Sequence, residues 1–211
     1  MSRVVELKHP LVQHHLTILR DARTAPALFR QQARRLAMLL GVAATSDLPT
    51  RPVSVHTPLA EHQGQQVAGR VALVPILRAG LGLLDPLQEL LPEAEVWHLG
   101  MYRDETTAQP VEYYCKLPAG HPSDISLILD PMLATAGSVL MAIDALKRWG
   151  CRDIRLLSLV AAQSGVERLQ QAHPDVSLFV CAIDPELNAH SYIVPGLGDA
   201  GDRIFNTLGN Y

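Results

Sequence analysis

Between residues 126 and 138 the chain reads S-L-I-L-D-P-M-L-A-T-A-G-S, and this stretch restricts the fold more than any other. Its first residues are continuously apolar, as in a strand buried on both faces. An acid, Asp130, stands where the strand should end. The small residues of 134–138 follow. After them comes a helical pattern with Val139, Leu140, Ile143 and Leu146 on one side, stopped by Gly150. Such a succession of strand, acid, small-residue loop and helix belongs to sheets whose strands alternate with helices. It is also a physical recipe for holding a sugar phosphate. The first N–H groups of a helix lack carbonyl partners and carry partial positive charge, and small side chains let a phosphate approach them.

The rest of the chain repeats the theme. Residues 71–77, 95–101, 154–161 and 176–183 read as further strands, and residues 81–91 as a helix. Ser164 is placed to cap another, with Val166 and Leu169 inward. The pattern predicts an α/β fold, a mainly parallel sheet with helices on both faces. Ligands in such sheets sit beyond the carboxyl ends of strands, which puts Arg78, Arg103, Asp130 and Asp184 near one edge.

Before this core, residues 1–10 form an extended lead and 11–19 a helix. A second helix is expected from Thr24 as N-cap, with Pro26 in its first turn and Gly41 as C-cap. Leu28, Phe29, Ala33, Leu36, Ala37 and Leu40 form its apolar stripe, leaving Arg30, Arg34 and Arg35 on a solvated basic face. In 45–70, Val53 and Val55 alternate with polar residues, the mark of one short exposed strand between turns. Residues 99–117 read as a two-stranded arm with a polar tip. The segment 192–203, Y-I-V-P-G-L-G-D-A-G-D-R, is too rich in glycine for a regular helix, and its acids and arginine suit a site loop. No linker divides the chain, so residues 1–211 are expected to form one domain: N-terminal helices at 10–41, a core at about 70–185, the arm, and a tail at 186–211.

Composition narrows the classes. The chain has 211 residues, 48% of them hydrophobic, and a formal charge of -3. That allows a sizeable core and offers no extended basic face for nucleic acid. Cys115, Cys151 and Cys181 make no C-x-x-C pair and suit a reducing compartment. The first eight residues lack an apolar signal core, and no apolar run approaches the roughly 20 residues that span a bilayer. The expectation is a cytoplasmic protein without membrane or nucleic-acid partners.

Several chemistries drop out. No G-x-x-x-x-G-K-[ST] occurs, and G-L-G-D-A-G lies after the last strand instead of opening a β-α-β unit. No Cys/His cluster has zinc-ligand spacing. The histidines, including His14-His15, read as structural or surface residues. Neither Ser138 nor Ser164 has an evident triad partner. What remains is a phosphate loop, arginines after two other strands, and a glycine-rich loop able to hydrogen-bond a flat heterocycle. Arg78 has an alternative as an ion-pair partner of Asp85 or Glu89, and Arg103 as a partner of Asp104 or Glu105.

At this point the chain resembles a known family. I-L-D-P-M-L-A-T-A-G-S is similar to the 5-phosphoribosyl-1-pyrophosphate (PRPP) loop of type I phosphoribosyltransferases. P-I-L-R-A-G-L-G at 75–82, M-Y-R-D-E-T at 101–106, Y-Y-C-K-L-P at 113–118 and Y-I-V-P-G-L-G-D-A-G-D-R at 192–203 narrow the resemblance to the uracil phosphoribosyltransferases. It extends over essentially the whole chain.

The resemblance implies the type I phosphoribosyltransferase fold and the reaction of uracil with PRPP to give UMP and pyrophosphate, a step of pyrimidine salvage. By the match, PRPP lies on Arg78, Arg103, Asp130, Pro131, Met132, Leu133, Ala134, Thr135, Ala136, Gly137, Ser138 and Asp199. Within that set Asp130 holds the ribose hydroxyls, 134–138 the 5′-phosphate, and the arginines the pyrophosphate. Uracil lies on Ile193, Gly198, Asp199 and Ala200, met by backbone groups. Asp130, Arg103 and Asp199 are the implied catalytic residues. Mg2+ is the implied cofactor, bound mainly through pyrophosphate and water with no direct protein ligand. The resemblance also points to a GTP effector, as some members of the family respond to GTP, though no GTP site is readable in these residues. Independently of it, a parallel sheet with an exposed arm calls for cover, so a homodimer or higher homo-oligomer is expected, with 102–117 near a neighbour or over the site. Two departures stand out. Pro131 replaces the second acid found in most type I enzymes, which is the uracil family's own pattern. Ala136 stands where the family usually has glycine, at a cost of about 1 kcal/mol if that position has a positive φ.

Overall fold

The computed structural model describes residues 3–103 and 110–207, with the side chains of Tyr102, Arg103 and Pro110 outside that description. The chain starts with β1 (Val4–Glu6), α1 (Pro10–Arg20) and α2 (Pro26–Ala44). A hairpin of β2 (Thr50–His56) and β3 (Glu61–Val67) follows. Next come β4 (Val71–Leu77), α3 (Leu81–Leu90), β5 (Glu95–Val96), β6 (Leu99–Arg103) and β7 (Pro110–Cys115). The second half holds β8 (Ile125–Leu129), β9 (Met132–Leu133), α4 (Gly137–Trp149), β10 (Asp153–Ala162), α5 (Gln163–Ala172) and β11 (Ser177–Asp184). The short β12 (Glu186–Leu187), β13 (Ile193–Val194) and α6 (Ala200–Phe205) complete it.

The main sheet runs β1-β11-β10-β8-β4-β6-β7 and is parallel except at β6–β7. The mainly parallel α/β architecture expected from the sequence is therefore present. Its strands are apolar throughout because helices cover both faces. Leu73, Leu127, Leu129 and Leu157 cluster with α1, α2, α3 and α6. Val74, Ile76, Ile128 and Leu156 cluster with α4 and α5. Pro75 aligns with Leu129, Leu77 with Gly100, and Leu129 with Leu157. The carboxyl ends of β4, β6 and β8 thus open on one edge, where the cleft lies.

Several local expectations change. Gly41 does not end α2, which continues to Ala44. A Cβ at Gly41 would lie 2.4 Å from Leu87 Cδ2, so this glycine is where α2 packs closely on α3. Thr24 is not the N-cap; Ala25 holds that position, and Thr24 Oγ1 donates to the Ile18 carbonyl at 2.6 Å. Pro26 does stand in the first turn, where its missing N–H costs nothing. Arg34 is not simply solvated: it bonds Asp85 at 3.2 Å and Glu89 at 2.7 Å on α3. Arg30 donates to the Ile204 carbonyl at 2.9 Å.

The single exposed strand expected near Val53 is a hairpin, because residues 61–67 pair with it although almost all are exposed. Backbone pairing holds them, which apolar alternation cannot reveal. The strand expected at 95–101 divides into β5 and β6. Ser164 is no cap, since β10 runs directly into α5 with Ala162 at the cap position. The arm's two strands pair antiparallel with a bulge between Gly100 and Met101, while its tip, 104–109, lies outside the described residues. The tail contains the short helix α6, contrary to the sequence reading, because Asp199 caps it. All three cysteines are free, and burial pushes the Cys181 thiol up to about 12. Among the described residues no helix is long and apolar enough to cross a membrane.

Candidate active site

The cleft's first wall is the loop that follows β8. Asp130 ends the strand's line of apolar residues, its backbone tied to β10 by Ser158 Oγ, which donates to the Asp130 carbonyl at 2.7 Å. Burial pushes the Asp130 carboxyl up to about 7. The one opposing pull is a hydrogen bond from the Met132 N–H at 3.3 Å. Desolvation disfavours the charged form, so this carboxyl is held ready for partners that donate to it.

From Pro131 the chain passes through β9, pairs with β10 at Val160–Ala161, and turns into α4. Ala136 makes that turn at φ 65 and ψ -2, in the left-handed region, and has no capping side chain. The condition attached to the missing glycine is met: this alanine sits in strained backbone. The first N–H groups of α4 consequently face the loop without a capping side chain. α5 braces the loop from behind. Arg168 Nη1 donates to the Thr135 carbonyl at 2.9 Å, and a Cβ on Gly165 would come 2.2 Å from the Ala134 carbonyl oxygen.

The second wall comes from the end of β4. Arg78 is 62% exposed and reaches Asp202 only at 3.4 Å. Its alternative as a partner of Asp85 or Glu89 is excluded, because Arg34 takes both. Arg103 ends β6 on the same edge, and its side chain lies outside the described residues.

The third wall is the tail. A cavity of about 220 Å3 is lined by Ala79 from the β4 side, Met132 and Ala134 from the phosphate loop, and Ile193 and Gly198 to Gly201 from the tail. Every residue assigned to uracil from the sequence therefore lines one space beside the phosphate loop. Asp199 also starts α6, where its Oδ1 accepts from the Asp202 N–H at 2.9 Å as the helix cap. Two cis peptide bonds, Leu77–Arg78 and Val194–Pro195, occur in the loops flanking the cleft.

Asp184 behaves differently from the other residues of that edge. It is buried and paired twice with Arg20, at 2.8 and 2.7 Å, and also accepts from the Gly196 N–H at 2.9 Å. Sequence reasoning missed Arg20, Ser158, Gly165 and Arg168, which hold the loops without carrying a motif. Only their pairing across 28 to 164 residues identifies them.

This arrangement is that of the type I phosphoribosyltransferases. A hypoxanthine phosphoribosyltransferase from Trypanosoma cruzi shares the fold at a TM-score of 0.50, with 14% identity over 75% of each chain. A solved protein from Aquifex aeolicus superposes at a TM-score of 0.92, with 33% identity over 99% of this chain and 100% of its own. The family model described as uracil phosphoribosyltransferase matches residues 5–207. A protein of that name from Roseiflexus sp. (strain RS-1) is 55% identical over 98% of this chain and its own full length. The chain belongs to the uracil phosphoribosyltransferase family, and its enzyme class is pentosyltransferase.

Proposed function

We propose that the cleft at the carboxyl edge of the sheet performs this family's reaction with the residues divided as follows. The reaction transfers the phosphoribosyl group of PRPP to N1 of uracil and releases pyrophosphate, giving UMP. The loop 134–138 takes the 5′-phosphate on backbone N–H groups and on the Thr135 and Ser138 hydroxyls. Pro131, Met132 and Leu133 carry the chain past the sugar. Asp130 accepts from the ribose hydroxyls. Arg78 and Arg103 take the pyrophosphate, whose oxygens fit the guanidinium fork. The exposure of Arg78, with only a long contact to Asp202, supports its role.

Uracil takes the 220 Å3 cavity, on backbone groups of Ile193 and Gly198 to Ala200. A larger cavity of about 540 Å3 borders the same loop from the α1 side, yet none of the phosphate-loop residues lines it. Adjacency of base and ribose is required for attack at C1′, and this observation carries the assignment. Cytosine would place a donor where a backbone N–H expects an acceptor, leaving buried groups unpaired.

Catalysis on this reading is positioning plus stabilisation of the departing charge. Mg2+ suits the site's hard carboxylate donors. Among the described residues no three His, Cys, Asp or Glu side chains cluster to hold a metal, so most of its ligands would be substrate oxygens and water. Asp130 and Asp199 are the carboxylates placed to meet PRPP or that water shell. When bound, the ion would neutralise pyrophosphate. The whole of 1–211 acts as one phosphoribosyltransferase domain, in the cytoplasm, with GTP as an effector. The exposed Tyr113 and Tyr114 on the arm support a homodimer or higher oligomer.

The test mixes the purified chain with Mg2+, PRPP and labelled uracil, beside cytosine, hypoxanthine and orotate. UMP alone should form, at a rate that GTP changes, and the same sample should sediment above 23.0 kDa. Absence of UMP at micromolar enzyme would refute the reading.

A further inference from the structure

The base side of the cleft is made of backbone groups in a segment with little structure of its own. Among the described residues, 195–198 make no backbone–backbone hydrogen bond. Side chains hold them instead: Arg203 at Leu197, and Arg20 and Asp184, from distant parts of the chain, at Gly196. Arg20 is the last residue of α1 and Asp184 the last of β11. They form a two-pronged pair, Nη1 to Oδ2 at 2.8 Å and Nη2 to Oδ1 at 2.7 Å. The same two groups grip both sides of Gly196. Its N–H donates to Asp184 Oδ2 at 2.9 Å, and its carbonyl accepts from Arg20 Nη1 at 3.0 Å.

Gly196 has φ +55, and a Cβ there would lie 2.0 Å from the Ile193 carbonyl oxygen. The turn therefore folds back on the residue that borders the base cavity. Ile193 lies on one side of the clamped residue and Gly198 on the other. An ion pair with one partner buried is costly unless its hydrogen bonds are made, and here the remaining bonds go to one loop residue. Neither Arg20 nor Asp184 lines the 220 Å3 cavity.

We propose that Arg20 and Asp184 are positioning residues for uracil, fixing Gly196 so that Ile193 and Gly198 present their backbone groups at a set separation. The inference rests on the assignment of 193–200 to the base. Loosening the clamp should misplace the base's partners and leave the phosphate loop, which Ser158, Gly165 and Arg168 support, as it was.

The experiment compares Asp184→Asn and Arg20→Lys with the unaltered full chain by steady-state kinetics in both substrates and by thermal melting. The expected result is a uracil KM raised about tenfold or more. The PRPP KM, and kcat at saturating uracil, should stay within about threefold, a split that a general loss of structure does not produce. Arg20→Lys, which keeps the charge on Asp184 partnered, should show the smaller rise. It decides the matter if Asp184→Asn fails to fold. An unchanged uracil KM in a folded variant, or a parallel decline of all parameters with Tm, overturns the inference. Gly201→Val, which puts bulk directly into the cavity, separates the two levels. If it leaves uracil KM unchanged, the base assignment itself is wrong. If it blocks uracil while the clamp variants keep their KM, only the positioning role is wrong.

Discussion

The loops proposed for phosphate and for base sit side by side in one cleft and are built in opposite ways. The phosphate loop is local: a strand, five small residues and a helix supply its shape in consecutive positions, and α5 only braces it. The base loop is held largely by side chains from outside it. It is shaped by Arg20 and Arg203, which reach it from α1 and α6, and by Asp184 at the end of β11. Arg203 also donates to the Leu19 and Asp21 carbonyls and stacks over Phe29 with its guanidinium carbon 4.3 Å from the ring centre. A phosphate needs only N–H groups and charge, which any helix start provides. A flat base needs donors and acceptors in fixed order, so its loop requires rigid scaffolding from elsewhere.

The largest expected effect falls on the phosphate side. The Asp130 carboxyl stands at about 7 in the fold against 3.8 ordinarily. The unfolded chain ionises it first, so this group weakens the fold as pH rises from about 4 to about 7, with a constant penalty above that. Asp130→Asn should stabilise the free chain at pH 8 by as much as about 4 kcal/mol and flatten that slope in denaturant titrations. It should also lower kcat/KM for PRPP roughly 10- to 100-fold, because hydrogen bonds to a charged group are worth about 1.5–3 kcal/mol. A variant that lost both stability and activity would show Asp130 to be a structural residue, and the local character of this loop would be in error.

A smaller effect is expected at Ala136. Glycine there relieves left-handed strain of about 1 kcal/mol and gives back part of that in unfolded-state entropy. Ala136→Gly should raise Tm by no more than about 2–4 °C. A clear fall in Tm would mean that something other than backbone conformation sets this position.

The same contrast governs what could be read in advance. The two-sided burial of β4, β8, β10 and β11 was legible because continuous apolar runs demand cover on both faces. The strand–loop–helix shape of 125–149 was legible because its parts are consecutive. The resemblance of 192–203 to a known family singled out the loop proposed for the base, but nothing in that segment names Arg20 or Asp184. Those pairings span 164 residues in the case of Arg20 and Asp184. Likewise α6 was hidden by the glycines of 196–201, since the Asp199 cap that starts it is visible only as a hydrogen bond to Asp202. Gly41 was misread for a related reason: a glycine required by a neighbouring helix looks like one that ends its own.

A crystal structure with bound UMP tests most directly whether the two loops are halves of one site. It should place the phosphate within hydrogen-bond distance of the backbone N–H groups of 135–138, and the base edge on backbone atoms of Ile193 and Gly198 to Ala200. A base seated in the larger cavity on the α1 side, or a phosphate away from 134–138, would contradict the account.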